Sequence, residues 1–179
     1  MTDQPELVTD RLRLRPFEPT DALRVQQLAG DPAVADTTVN IPHPYPDGAA
    51  ESWIASHRPG WIDGIGVTFA ITDRVSGDLR GAIGLVINPE HRRAELGYWI
   101  AVDHWKQGLC TEAARAVIGF AFETLGLHRI YATYLVRNPA SGQVMQKAGM
   151  QFEGVQRGVF LKNGVFEDVA MCAIVRGDR

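Results

Sequence analysis

The sequence predicts one α/β domain: a mixed sheet with helices packed on its faces. Three observations carry this reading. Segments of alternating apolar and polar residues, the period of a half-buried strand, lie on both sides of a long apolar stripe at helical spacing between Cys110 and Leu125. A strand, helix, strand succession over residues 94–136 needs a crossover connection, whereas Asn163-Gly164 closes a tight hairpin, so one sheet holds both parallel and antiparallel pairs. The length of 179 residues is that of a single core, and residues 1–179 are read as one domain.

The elements follow in order. Residues 12–17 form the first strand, because Leu12 and Leu14 alternate with Arg11, Arg13 and Arg15. Thr20 offers a helix N-cap before Asp21-Ala22-Leu23, with Val25 and Leu28 continuing an apolar stripe until Gly30-Asp31-Pro32 stops it. Residues 41–46 hold three prolines, each pushing its predecessor toward extended geometry, so this Pro-aromatic loop separates the first helix from a second that Asp47 caps and that includes Trp53 and Ile54. Residues 67–72, 78–87 and 94–102 are strands, the first two joined at Ser76-Gly77. A helix over 110–125 ends at Gly126, a strand covers 129–136, a short helix over 139–148 closes at Gly149, and residues 152–162 and 165–175 form the final hairpin. The resulting order is βααβββαβαββ, without internal repeats or low-complexity linkers.

Composition removes several classes of function. Apolar residues are 45% and charged residues 22%, near the globular average, so disorder is excluded. A net charge of −3 argues against a general nucleic-acid binder, which carries a basic face. The longest apolar runs are too short to span a bilayer, and the acidic, polar start does not read as a secretory signal. Cys110 and Cys172 have no C-x-x-C partner, and the five histidines are scattered. Neither a metal site nor a redox pair is expected, and reduced thiols fit a cytoplasmic protein. Walker-type, nucleophile-elbow and zincin motifs are absent.

The informative stretch is residues 95–114, where a strand passes through a turn at Gly108 into the long helix. Backbone N–H groups from Gln107 to Thr111 would point outward together at the helix N-terminus, an arrangement suited to a pyrophosphate. Taken alone, an ordinary strand-to-helix turn is the commoner origin of such a segment. Further on come Asn138-x-x-Ser141, Ala148-Gly149-Met150 and Glu153-Gly154. Together with Glu95-x-Gly97-Tyr98-Trp99 and Thr111-Glu112-Ala113-Ala114, these motifs resemble the GNAT superfamily of N-acetyltransferases, more narrowly its RimJ/RimL-type branch, whose namesakes acetylate ribosomal-protein N-termini. Each motif is weak alone, and the likeness rests on their order over nearly the whole chain.

The resemblance implies a mostly antiparallel sheet of about seven strands containing one splayed parallel pair, with acetyl-CoA wedged into the splay. Backbone groups of Trp99, Ile100 and Val102 would bond the pantetheine arm, and Gln107, Gly108, Leu109, Cys110 and Thr111 map onto the pyrophosphate loop. Lys106 and Cys110 stand where the family usually has small residues. Asn138 would bond the pantetheine region, and Ser141 would lie near the thioester sulfur, where its hydroxyl can hydrogen-bond or protonate the departing thiolate. Ser141 could equally serve as a first-turn hydroxyl bonding backbone.

The attacking amine must lose a proton. Glu95 shares a strand face with Gly97 and Trp99 and is the first candidate base, Glu153 the second, with solvent and positioning as the alternative. For the acceptor, a primary amine on a protein N-terminus or a small molecule, the loop residues His43 and Tyr45 with Trp53, Trp61 and Trp99 offer rigid aromatic walls. The tryptophans could instead only pack helices against the sheet. The final hairpin could support a homodimer. A non-catalytic GNAT-like domain that senses acyl-CoA or binds a protein is the competing reading.

Overall fold

The computed structural model describes residues 3–178. Its eight strands form one sheet in the order β1-β2-β3-β4-β5-β6-β8-β7. The strands are β1 (Leu7–Val8), β2 (Leu12–Arg15), β3 (Gly66–Asp73), β4 (Leu79–Asn88), β5 (Arg93–Ile100), β6 (Arg129–Leu135), β7 (Gln151–Lys162) and β8 (Val165–Val175). All neighbours are antiparallel except β5 and β6. The mixed sheet with one parallel pair therefore matches the expected class. The additional strand β1 is only two residues long, too short to display a period of two.

Six helices cover the sheet: α1 (Ala22–Ala29), α2 (Pro32–Thr37), α3 (Ala49–Ala55), α4 (His57–Ile62), α5 (Leu109–Glu123) and α6 (Pro139–Lys147). The region between β2 and β3 thus holds four short helices rather than two. Pro32 both stops α1 and starts α2, because a proline at the first helical position gives up only an N–H that would have no partner. Asp31 caps α2, its carboxylate accepting from Ala33 N–H at 2.8 Å. Pro59 divides α3 from α4, since it lacks the N–H that would bond the Ala55 carbonyl. The expected caps also move. Gly48, at φ 75°, precedes α3 in place of Asp47, and a 3₁₀ turn at Pro19–Asp21 replaces a Thr20 cap.

Apolar side chains pack on both faces. On one, α5 lays Ala113, Val117 and Ile118 against Phe69, Ile83 and Ile130. On the other, Val25, Ala29, Val34 and Ile54 of the short helices meet Ala82 and Trp99. Trp61 is buried on the α5 face against Phe120, 6.5 Å between ring centroids, and is a packing residue. No helix among the described residues is long and apolar enough to cross a membrane.

His57 stacks between Trp53, at 4.4 Å, and Phe17, at 5.4 Å. Neither ring nitrogen has a hydrogen-bond partner among the described residues, and burial pushes the pKa from 6.5 down to about 4. A histidine held neutral by the fold stabilises fully above its unfolded pKa, and this contribution is lost as pH falls. The urea midpoint is expected to drop as pH is lowered through 6.5 toward 4, and His57→Phe should flatten that slope. An unchanged slope in the variant would remove His57 as its cause.

Candidate active site

The site begins where β5 and β6 part. They pair in register only from Arg93↔Arg129 to Glu95↔Tyr131. Beyond that point β5 stays with β4 as far as Ile100, and β6 stays with β8 as far as Leu135. The facing edges of the two strands are therefore left without each other's N–H and C=O groups, and a groove opens between them. Helix α6 closes its far side. Gly142 sits so near the Tyr134 ring that a Cβ there would lie 2.6 Å from it, so only glycine lets α6 come this close.

Helix α5 starts at the mouth of the groove. Gly108 adopts φ 76° and Lys106 φ 60°, which turn the chain sharply into the helix. The first intrahelical bond runs from Glu112 N–H to the Gly108 carbonyl at 3.1 Å, leaving Leu109, Cys110 and Thr111 N–H ahead of it. Glu112 fixes the turn to the start of the chain, accepting from the Thr9 hydroxyl at 2.6 Å, Arg11 N–H at 2.9 Å and the Arg11 guanidinium at 2.7 Å. Burial works against its charge, but these donors outweigh burial and hold the carboxyl below its usual range. Arg11 also donates to the Gln107 carbonyl at 2.9 Å.

Ser141 lies in the first turn of α6. Tyr98 Oη is 2.9 Å from its Oγ and 3.0 Å from its carbonyl oxygen. Burial raises the Tyr98 phenol well above its ordinary range, so it stays protonated. Cys110, also in the groove wall, has its thiol pushed up by burial and carries no thiolate at neutral pH.

The C-terminal end of α2 bridges the site. Its carbonyls accept from Lys162 Nζ (Ala35, 2.7 Å), Asn138 Nδ2 (Thr37, 3.1 Å) and Arg137 (Asp36, 2.8 Å), donors placed where the helix dipole is negative. Lys162 Nζ also reaches the Thr38 carbonyl.

Two cavities meet here. One, of about 280 Å³, runs from Gly108, Leu109, Cys110 and Thr111 past Ile100 and Asn138 to Ser141. The other, of about 520 Å³, lies on the short-helix side and contains Tyr45, Trp53 and Glu95. Thr37, Thr38, Tyr98, Trp99 and Ser141 border both. Glu95 sits on the expected strand face, with the Thr133 hydroxyl donating to it at 3.2 Å.

Four expected residues lie elsewhere. His43 is exposed, outside the larger cavity's lining, with Nδ1 3.1 Å from the Gly30 carbonyl. Val102 falls past the end of β5 in a 3₁₀ turn and packs against the short helices, because the strand stops at Ile100. Gln107 is exposed at the turn, its carbonyl taken by Arg11. Glu153 is ion-paired with Arg129 at the sheet edge, away from both cavities, and is not placed to act as a base. The residues that sequence reasoning missed are Tyr98, Thr37 and Thr38. Tyr98 carried a signal: on the helix-facing side of its strand, a tyrosine hydroxyl needs a buried partner.

A split-sheet α/β protein with a groove ending at a half-buried hydroxyl pair, and a second cavity beyond it, can hold two ligands next to each other. A family model described as "Acetyltransferase (GNAT) domain" matches residues 11–151. The chain belongs to this family. YoaA of Bacillus subtilis, named an uncharacterized N-acetyltransferase, is 38% identical over 62% of this chain and 63% of its own, so the match spans less than two thirds of that relative. The putative ribosomal N-acetyltransferase YdaF of the same species is 29% identical over 94% of this chain and 93% of its own. The crystal structure of spermidine N-acetyltransferase from Vibrio cholerae, in complex with CoA and spermine, superposes with a TM-score of 0.82 at 24% identity, covering 95% of this chain and 98% of that one.

Proposed function

We propose that the protein is an N-acetyltransferase that moves the acetyl group of acetyl-CoA to a primary amine by direct attack. The observation that carries this reading is the junction of the two cavities at Ser141 and Tyr98, where a thioester entering by the smaller one would face an amine in the larger. When bound, acetyl-CoA supplies an acyl group activated as a thioester.

The chain's own residues fit it. The leading N–H groups of α5 suit a pyrophosphate, and the edge of β5 at Trp99 and Ile100, which β6 no longer pairs and where Trp105 Nε1 donates to the Ile100 carbonyl at 2.8 Å, suits the amides of a pantetheine arm. Asn138 borders the same path. Tyr98 Oη lies within hydrogen-bond distance of both Ser141 Oγ and the Ser141 carbonyl; in the proposed mechanism the phenol donates to Oγ, leaving the serine proton free to point into the groove toward the leaving sulfur. Glu95 takes the proton of the incoming ammonium, directly or through water. The free thiols of Cys110 and Cys172 support a reducing, cytoplasmic setting.

A thiol-release assay with acetyl-CoA over peptides and small amines tests the activity. Release that depends on an added amine is expected. Calorimetric CoA binding without any release would favour an acyl-CoA-sensing domain instead.

The β7–β8 hairpin supports self-association. Leu161 and Phe166 pair across its strands and are 63% and 70% exposed. Of its charged residues, Glu153, Lys162, Glu167 and Asp168 are engaged within the chain, and Arg157 is exposed. Light scattering is expected to give a dimer that Phe166→Glu converts to monomer, and a monomeric native protein would remove this surface as an interface.

A further inference from the structure

The larger cavity is walled mostly by apolar side chains, with Thr37, Thr38, Asn40, Thr68, Thr133 and Ser141 as uncharged polar residues among them. Its walls include Val25, Ile41, Tyr45, Trp53 and Trp99, and among the described residues lining it Glu95 alone carries charge. That carboxylate has the Thr133 hydroxyl as a donor at 3.2 Å and the Tyr131 phenol beside it on the paired strand, and belongs to none of the ion pairs among the described residues. Neighbouring carboxylates are committed or outside. Asp36 is paired with Arg137 at 2.8 Å, Asp47 accepts from Gln26 at 3.2 Å, and Glu51 stands exposed on α3 beside Tyr45.

A lone carboxylate without a counter-ion in a mostly apolar chamber is complementary to one ammonium group, because the pair offsets the desolvation that each would suffer alone. A second or third ammonium in the same chamber would meet no second carboxylate among the described residues lining it. The aromatic walls add favourable contact for a ring and for a cation over its face. We propose that the acceptor is a singly charged primary amine bearing an apolar substituent of about the size of an aromatic ring, and that polyamines are poor acceptors. This inference rests on the acetyltransferase reading for the word acceptor, but the binding preference stands on the cavity itself.

The test uses the full chain saturated with CoA. Calorimetry compares 2-phenylethylamine, its neutral counterpart 2-phenylethanol, and spermidine. 2-Phenylethylamine is expected to bind at least about tenfold tighter than either. Glu95→Gln should bring it down to the level of 2-phenylethanol while leaving the melting temperature and CoA affinity in place, and Trp53→Ala should weaken both ring compounds together. Spermidine binding as tightly as 2-phenylethylamine, or Glu95→Gln leaving the amine's affinity unchanged, would overturn the proposal. If the expected binding order appears but no amine releases thiol, acetyl transfer is lost and the specificity of the cavity remains.

Discussion

Ser141→Ala is expected to lower kcat by about a hundredfold while the dissociation constant of CoA stays within about twofold of the native value. The hydroxyl acts on charge that develops only as the thiolate departs, so its removal penalises the transition state rather than ground-state binding. Tyr98→Phe removes only the oxygen 2.9 Å from Ser141 Oγ and keeps the buried ring. It should cost about tenfold in kcat, equivalent to about 1.4 kcal/mol, because the serine proton then has no fixed direction. Since Tyr98 works through Ser141, the double variant should be no slower than Ser141→Ala alone. Steady-state kinetics of the four proteins, with CoA calorimetry and melting temperatures, read this cycle. Equal turnover in Ser141→Ala and native protein removes Ser141 from the mechanism, whereas additive losses would make Tyr98 independent of it.

Gly81→Ala is expected to destabilise the fold by about 3 kcal/mol, at the upper end of overpacking effects. Gly81 faces Ile100 across the β4–β5 ladder, and a Cβ there would lie 2.2 Å from the Trp99 carbonyl oxygen and 3.0 Å from Ile100 Cα. Both are backbone atoms, so relief requires the strands to separate. At this end β5 has already lost β6 and depends on β4, helped by Ala101 N–H donating to the Arg80 carbonyl at 2.8 Å. The displaced stretch is the groove edge, so CoA affinity should fall with stability. Gly97→Ala on the neighbouring strand β5 meets open space and should change stability by less than about 1 kcal/mol. Urea unfolding checks the pair, and equal midpoints would refute the clash.

The long elements were legible because their periodicity is internal to each segment. Helix α5, the β7–β8 hairpin at Asn163-Gly164 and the α6 start at Pro139 each carry their own stripe, turn or cap. The short helices were only partly legible. Six-residue α2 and α4 show barely more than one turn of pattern, and Pro32, which the pattern marks as the end of one helix, also begins the next.

The candidate site divides in the same way. Glu95 and Trp99 share a face by strand alternation, and Gly108 marks the turn into α5, so local sequence placed all three. The parting of β5 from β6 was reached only through resemblance to other members of the family, because two strands separated by a helix carry no local record of where their pairing stops. Neither did sequence reveal that Tyr98 reaches Ser141, forty-three positions on, or that α2 seals the junction through Asn138, Arg137 and Lys162. Segment patterns decided what each stretch of chain becomes, since that depends on neighbours along the backbone. Which hydroxyl meets which, and how much charge is left in the larger cavity, was decided only when distant segments packed, since hydrogen bonds and burial depend on neighbours in space.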